Sequence, residues 1–154
     1  MKLAEALILR ADHQKRIEQL KQRLLRNAKV QEGDEPAEDP RELMAELERV
    51  AEDLTSLIQR INRTNAATAL AGGATITAAL ARRDVLGARQ AAYRDLAQAA
   101  SITDQARYSR SEVKFQSTVN VAEIQRQADD LARQYRELDA TIQETNWRTE
   151  LIEE

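Results

Sequence analysis

The chain repeats itself. Shifting it by 81 residues lays Leu57–Leu70, LIQRINRTNAATAL, over Leu138–Leu151, LDATIQETNWRTEL, with Ile61 on Ile142, Thr64 on Thr145, Asn65 on Asn146, Thr68 on Thr149 and Leu70 on Leu151. Upstream, Leu43, Leu47, Val50, Leu54 and Leu57 fall on Ile124, Ala128, Leu131, Tyr135 and Leu138. Steps of four and three residues keep apolar side chains on one stripe of a helix, the pattern of a helix packed along another in coiled-coil fashion. Both copies also open alike. Asp39 with Glu42, and Asn120 with Glu123, have the spacing of a capping box, and Pro40 occupies a first helical position where no amide is needed. A shared start, stripe and TNxxTxL ending imply a duplicated helical hairpin.

The remaining elements follow from that frame. Residues 3 to about 30 read as the first helix, with Leu3, Leu7, Ile17, Leu20 and Leu24 on one face and Arg10 and His13 or Gln14 inside the stripe. The acidic QEGDEPAED, Gln31–Asp39, is a surface turn, and the second helix runs from Pro40 to about Ala67. Gly72 and Gly73, the only glycine pair, separate the halves, and the third helix starts near Thr75. A shift of 73 lays Leu3 on Ile76, Ala6 on Ala79, Leu7 on Leu80 and Arg10 on Arg83. Starts offset by 73 and ends by 81 leave the second connection about eight residues longer, between about Ser101 and Val119. From Tyr108 to Val119 this connection is rich in β-branched and aromatic residues. It reads either as an extended arm that pairs with another subunit or as a frayed extension of the third helix.

The expected fold is therefore all-α. It is an antiparallel four-helix bundle of two duplicated long hairpins, residues 1–71 and 74–154 of a single helical domain, with a long loop or arm between helices three and four. Composition agrees. Only 3% of residues are aromatic against 42% apolar, so the core is built from Leu, Ile, Val and Ala, and four glycines with two prolines leave few turns. A net charge of −3 gives no general attraction to nucleic acid or anionic membranes. The absence of cysteine excludes disulfides, thiolate metal sites and a cysteine nucleophile. Met1–Arg10 is short, contains Glu5 and does not read as a signal peptide; no run approaches the roughly 20 apolar residues that span a bilayer. A cytoplasmic location is expected.

Two groups of residues are candidates for function. Counting back from the turns puts Arg10 level with about residues 60–63 and Arg83 with about 140–144, so that Arg10, Asn62, Asn65, Arg83 and Asn146 gather at one end of the bundle. Such a cluster is either a hydrogen-bond network that fixes helix register or a polar pocket that binds a small anion through Arg10 and Arg83. The second group is Arg107, Tyr108, Arg110, Lys114 and Phe115, which could hold phosphate or a nucleic-acid backbone but, interrupted by Glu112 in an acidic chain, fits a subunit contact better, giving a homo-oligomer. No ExxH pair accompanies the carboxylates and His13 stands alone, so no metal or other cofactor is expected. There is no GxSxG and no phosphate-binding loop, and the usual signals of an enzyme are missing.

Seven segments, MKLAEAL, QKRIEQL, QEGDEPAEDP, INRTNAAT, ALARRDVL, RYSRSEVKF and NWRTEL, together resemble the septicolysin-like family of small bacterial proteins, over nearly the whole chain. INRTN and RYSRSE are the most specific parts, while Ala78 and Gly87 stand where the resemblance implies more polar residues. The family name implies a cytolysin, although most members resemble proteins of unknown function. Charged residues on every expected helix argue against a membrane-inserting role.

Overall fold

The computed structural model describes residues 1–102 and 114–153. Its described residues are all-helical, as the sequence predicts. Four helices follow in order: α1 Leu3–Arg26, α2 Pro40–Ala67, α3 Ile76–Ala100 and α4 Val121–Arg148. The bounds of α2 and α4 differ by 81 residues at both ends. Asp39 caps α2 by accepting a hydrogen bond from the Arg41 amide at 2.8 Å, and Asn120 caps α4 by accepting one from Glu123 N at 3.1 Å. The first helix stops four residues short of the expected end, because Asn27 turns the chain. Its side-chain amide donates to Arg23 O and its side-chain oxygen accepts from Glu38 N.

The chain divides into two compact units, Met1–Ile76 with Gln143–Glu154, and Thr77–Ile142. In the first, α1 and α2 are antiparallel, tied by the ion pairs Arg16–Glu46 and Arg23–Glu38. The Arg23 hydrogen bond holds the Glu38 carboxyl below its ordinary range. Leu3, Ala6 and Leu20 of α1 are buried with Leu43, Leu57 and Ile61 of α2, so the apolar stripes do meet. These ion pairs correct one expectation. Six residues back from Arg16 on α1 is six forward from Glu46 on α2, which puts Arg10 level with about Glu52, roughly two to three turns away from residues 60–63. Residues 37–39 run back alongside the last turn of α1, held by Glu38 to Arg23 and Asn27, so the chain reverses earlier than the midpoint of the loop.

In the second unit α3 and α4 are antiparallel. Arg83 donates to Asp139 at 2.8 Å, and Gly87 faces Tyr135 so closely that a Cβ there would meet the ring at 3.3 Å. This register lies within about a turn of the expected one. Leu86, Ala97, Ala128 and Leu131 are buried in this unit. Lys114 and Phe115 are exposed, Phe115 by 73%. Arg107, Tyr108 and Arg110 lie outside the described residues.

Candidate functional site

In the first unit, the end of α4 meets the start of α1. Leu3 N donates to Thr149 O at 2.9 Å, Leu151 N donates to Met1 O at 2.8 Å, and Lys2 and Glu150 form an antiparallel bridge. The segment after α4 continues across the end of α2. Ile152 N donates to the Thr64 hydroxyl at 3.0 Å, and the Arg60 guanidinium reaches both Ile152 O and the Glu153 carboxylate. Thr64 is completely enclosed and also donates to Arg60 O, which is why a hydroxyl is tolerated among leucines. Leu151 is buried too, so residues 149–153 form a strap anchored by one apolar side chain and fringed by exposed ion pairs of Glu150 with Lys2 and Glu153 with Arg60. Lys2 holds the Glu150 carboxyl below its ordinary range.

The link between α2 and α3 is built the same way. Ile76 N donates to Thr68 O at 2.9 Å, Leu70 N donates to Ala74 O at 2.8 Å, and Ala69 pairs with Thr75. Under the shifts of 81 and 73, each of these contacts lands on its counterpart at the first junction. Gly73, at φ 85°, closes the turn from Leu70 to Ala74, a left-handed conformation that glycine adopts without strain.

Within this frame lies the pair of atoms that stands out. Asn146, in the last turn of α4, is 4% exposed, and its side-chain oxygen is enclosed with no hydrogen-bond partner. Arg10, half-buried on α1, has its Nε–H enclosed and equally without a partner. Arg10 sits seven residues beyond Leu3, and Asn146 three before Thr149, so both lie within about 10 Å, along their helices, of the Leu3–Thr149 hydrogen bond. Helical side chains lean toward their own N-terminus, which carries the Arg10 guanidinium back toward this junction.

Arg83, the repeat counterpart of Arg10, is placed differently. It belongs to the second unit and is neutralised there by Asp139 and Asp84; the hydrogen bond with Asp139 raises its pKa above the ordinary value, against the opposing effect of burial. Shifting Asp139 and Asp84 back by 81 and 73 residues gives Ile58 and Ala11. Arg10 thus has neither carboxylate at the corresponding positions, and it enters none of the ion pairs among the described residues. Of the other expected site residues in this unit, Asn65 is half-buried and Asn62 exposed. Among the described residues no group of histidine and carboxylate side chains could hold a metal ion. The strap was not foreseen from the sequence, although a signal for it was present: the apolar Leu70 and Leu151 recur just past the helix ends, where a frayed terminus would be polar.

A family of unknown function (DUF6847) has a model that matches residues 10–151. The chain belongs to this family. Its description gives no activity and does not mention the septicolysin-like resemblance. The DUF6847 chain is also similar to a solved structure, "Crystal structure of a functionally unknown conserved protein from Corynebacterium diphtheriae". The two are 47% identical, superpose with a TM-score of 0.93 and cover 99% of each other. No curated protein matches.

Proposed function

We propose that the protein is a ligand-binding helical module, and that its ligand is a small anion held by Arg10 and Asn146. The reading rests on one observation: a fully enclosed, unpartnered N–H on a half-buried cation, in the same unit as a fully enclosed, unpartnered amide oxygen. A buried polar group without a partner costs about 1–3 kcal/mol, and an anion accepting from Arg10 recovers that cost while neutralising the charge. Because both atoms are enclosed, the ligand enters when the neighbouring strap, residues 149–153, lifts. The repeat supports the same reading, since Arg83 carries its two counter-charges within the chain and Arg10 leaves the role to a ligand. It treats the chain as a duplicated hairpin in which one copy of the arginine has been freed for binding.

The test is thermal unfolding in phosphate, sulfate, chloride and acetate at constant ionic strength. A ligand at ten times its Kd stabilises by about 1.4 kcal/mol, a rise of roughly 3–6 °C for a chain of this size. An Arg10→Met protein should show no such rise. Equal melting temperatures for the wild type in all four salts would sink the proposal.

A second reading, self-association, has its own support. Leu96, Ile102 and Phe115 are all exposed around one groove of about 360 Å³ in the second unit, apolar side chains that a second copy of the chain would cover. Sedimentation of the wild type against Phe115→Ser tests it: an unchanged monomer mass in both rules it out. The cytolysin that the septicolysin-like resemblance implies has less behind it, because no helix among the described residues is long and apolar enough to cross a membrane. A cytoplasmic protein remains part of our reading.

A further inference from the structure

The two repeats carry corresponding grooves that differ in charge. In the second unit a groove of about 570 Å³ lies between α3 and α4, lined by Arg89 and Tyr93 from the first and by Glu123, Arg126, Gln127 and Asp130 from the second, with the buried Leu131. A shift of 81 lays this α4 wall on the α2 wall of a groove in the first unit: Glu123 on Glu42, Arg126 on Ala45, Gln127 on Glu46 and Asp130 on Arg49. Under the shift of 73, Arg89 falls on Arg16, which Glu46 neutralises. The second unit has the neutral Gln127 at the place of that glutamate and a further cation, Arg126, at the place of Ala45.

Two arginines therefore line one groove with little to balance them. Among the described residues neither Arg89 nor Arg126 forms an ion pair. Of the two carboxylates present, Asp130 is held by Arg133 and accepts from the Gln134 amide at 2.8 Å, which leaves Glu123 alone to offset both cations. The register set by Arg83 on Asp139 and Gly87 on Tyr135, continued along the helices, puts Arg126 level with about Leu96. Arg89 and Arg126 then stand roughly 10 Å apart along the groove, with Tyr93 between their levels. We infer that this groove binds an elongated organic dianion, one acidic group to each arginine and the carbon body against the Tyr93 ring, an α,ω-dicarboxylate being the simplest case. The site is separate from that of Arg10 and does not depend on it.

The spacing selects the ligand. Both arginines are exposed, so a single ion pair to either is worth little in water. A spacer of matching length makes the second contact intramolecular, and the two contributions then combine. A dianion too short to reach both cations keeps one contact only, whatever its charge.

Suberate tests this against succinate, which has the same charge on a shorter spacer, and against octanoate, which has the same chain with one acidic group fewer. Titrations at neutral pH and constant ionic strength, followed by backbone amide chemical shifts of the wild-type protein, should show suberate bound roughly two- to fivefold more tightly than either, the gain of one further exposed ion pair. The shifts should centre on residues 89–93 and 123–131, away from Arg10. Arg89→Gln and Arg126→Gln alter exposed side chains, and each should bring suberate down to the level of octanoate. Gln127→Glu should do the same while keeping both cations, because it offers Arg89 the carboxylate that Arg16 has. Suberate bound no more tightly than succinate or octanoate, or bound equally by the wild type and all three variants, overturns the inference.

Discussion

The two repeat-related arginines should respond to the same mutation with opposite signs. Methionine keeps most of the length of the arginine stem and removes the guanidinium, so it tests the head group with little change in packing. At Arg83 the head group donates to Asp139 at 2.8 Å and also reaches Asp84, with the Arg83 side chain 23% and the Asp139 side chain 33% exposed. That exposure lies between a surface pair, worth about 0–1 kcal/mol, and a buried pair whose loss costs about 3–5 kcal/mol. Arg83→Met should therefore destabilise by about 1–2 kcal/mol, leaving Asp139 without its cation. At Arg10 the head group has no partner to abandon and its Nε–H is enclosed. Removing it relieves about 1–3 kcal/mol of unmet hydrogen bonding, less whatever packing the methionine fails to restore. Arg10→Met should be stabilising by about 1 kcal/mol in a low-salt buffer whose only anion is a bulky sulfonate, and this gain should vanish in phosphate, where the wild type is helped and the variant is not. Urea denaturation followed by helical circular dichroism reads all four conditions. If Arg10→Met is destabilising by about 1 kcal/mol or more in the sulfonate buffer, Arg10 already has a partner in the chain and the reasoning about its neighbourhood is wrong.

Three other expectations can be checked separately. Thr64→Val should cost about 1–2 kcal/mol and expose the Ile152 amide to hydrogen exchange, whereas Thr64→Ser, which keeps the acceptor, should leave that amide protected; greater exchange in the serine variant would contradict the strap contact. Gly87→Ala should lie within about 1 kcal/mol of neutral, since relief of the glycine penalty in a helix offsets a 3.3 Å contact with the movable Tyr135 ring, while Gly87→Val should be clearly destabilising on thermal unfolding. The Glu150 carboxyl is held below its ordinary value, chiefly by Lys2, so its contribution is present above the unfolded-state pKa and lost as pH falls through the folded one; exchange at Leu151 and Ile152 should rise on acidification, and Glu150→Gln should remove that dependence.

Much of this architecture was legible from spacing. The stripe from Leu43 to Ile61 fixed α2, and the caps at Asp39 and Asn120 placed two helix starts to the residue, because both signals are local and depend on the helical period alone. The register of α1 on α2 was not legible. It depends on how residues 37–39 fold back on Arg23 and Asn27, contacts between segments that carry no periodicity. Of the site, Arg10 stood out as a polar residue on an apolar face and Asn146 by its recurrence in the repeat, but whether each had a partner could not be read. Arg83 occupies a matching place in the repeat and yet has Asp139 and Asp84 beside it, and only coordinates distinguish a satisfied arginine from an orphaned one.

The two junctions have one more implication. The same set of hydrogen bonds is made once between Thr68 and Ile76, across a turn of a few residues, and once between Thr149 and Leu3, at opposite ends of the sequence. In the first the peptide chain holds the partners together, and in the second they are held by the fold alone. A nick at Ala71–Gly73 would make the two alike, each junction then held by its hydrogen bonds alone. The difference in stability between the nicked and the intact chain would then measure the effective concentration that a short turn supplies, with every contact it joins already present elsewhere in the molecule.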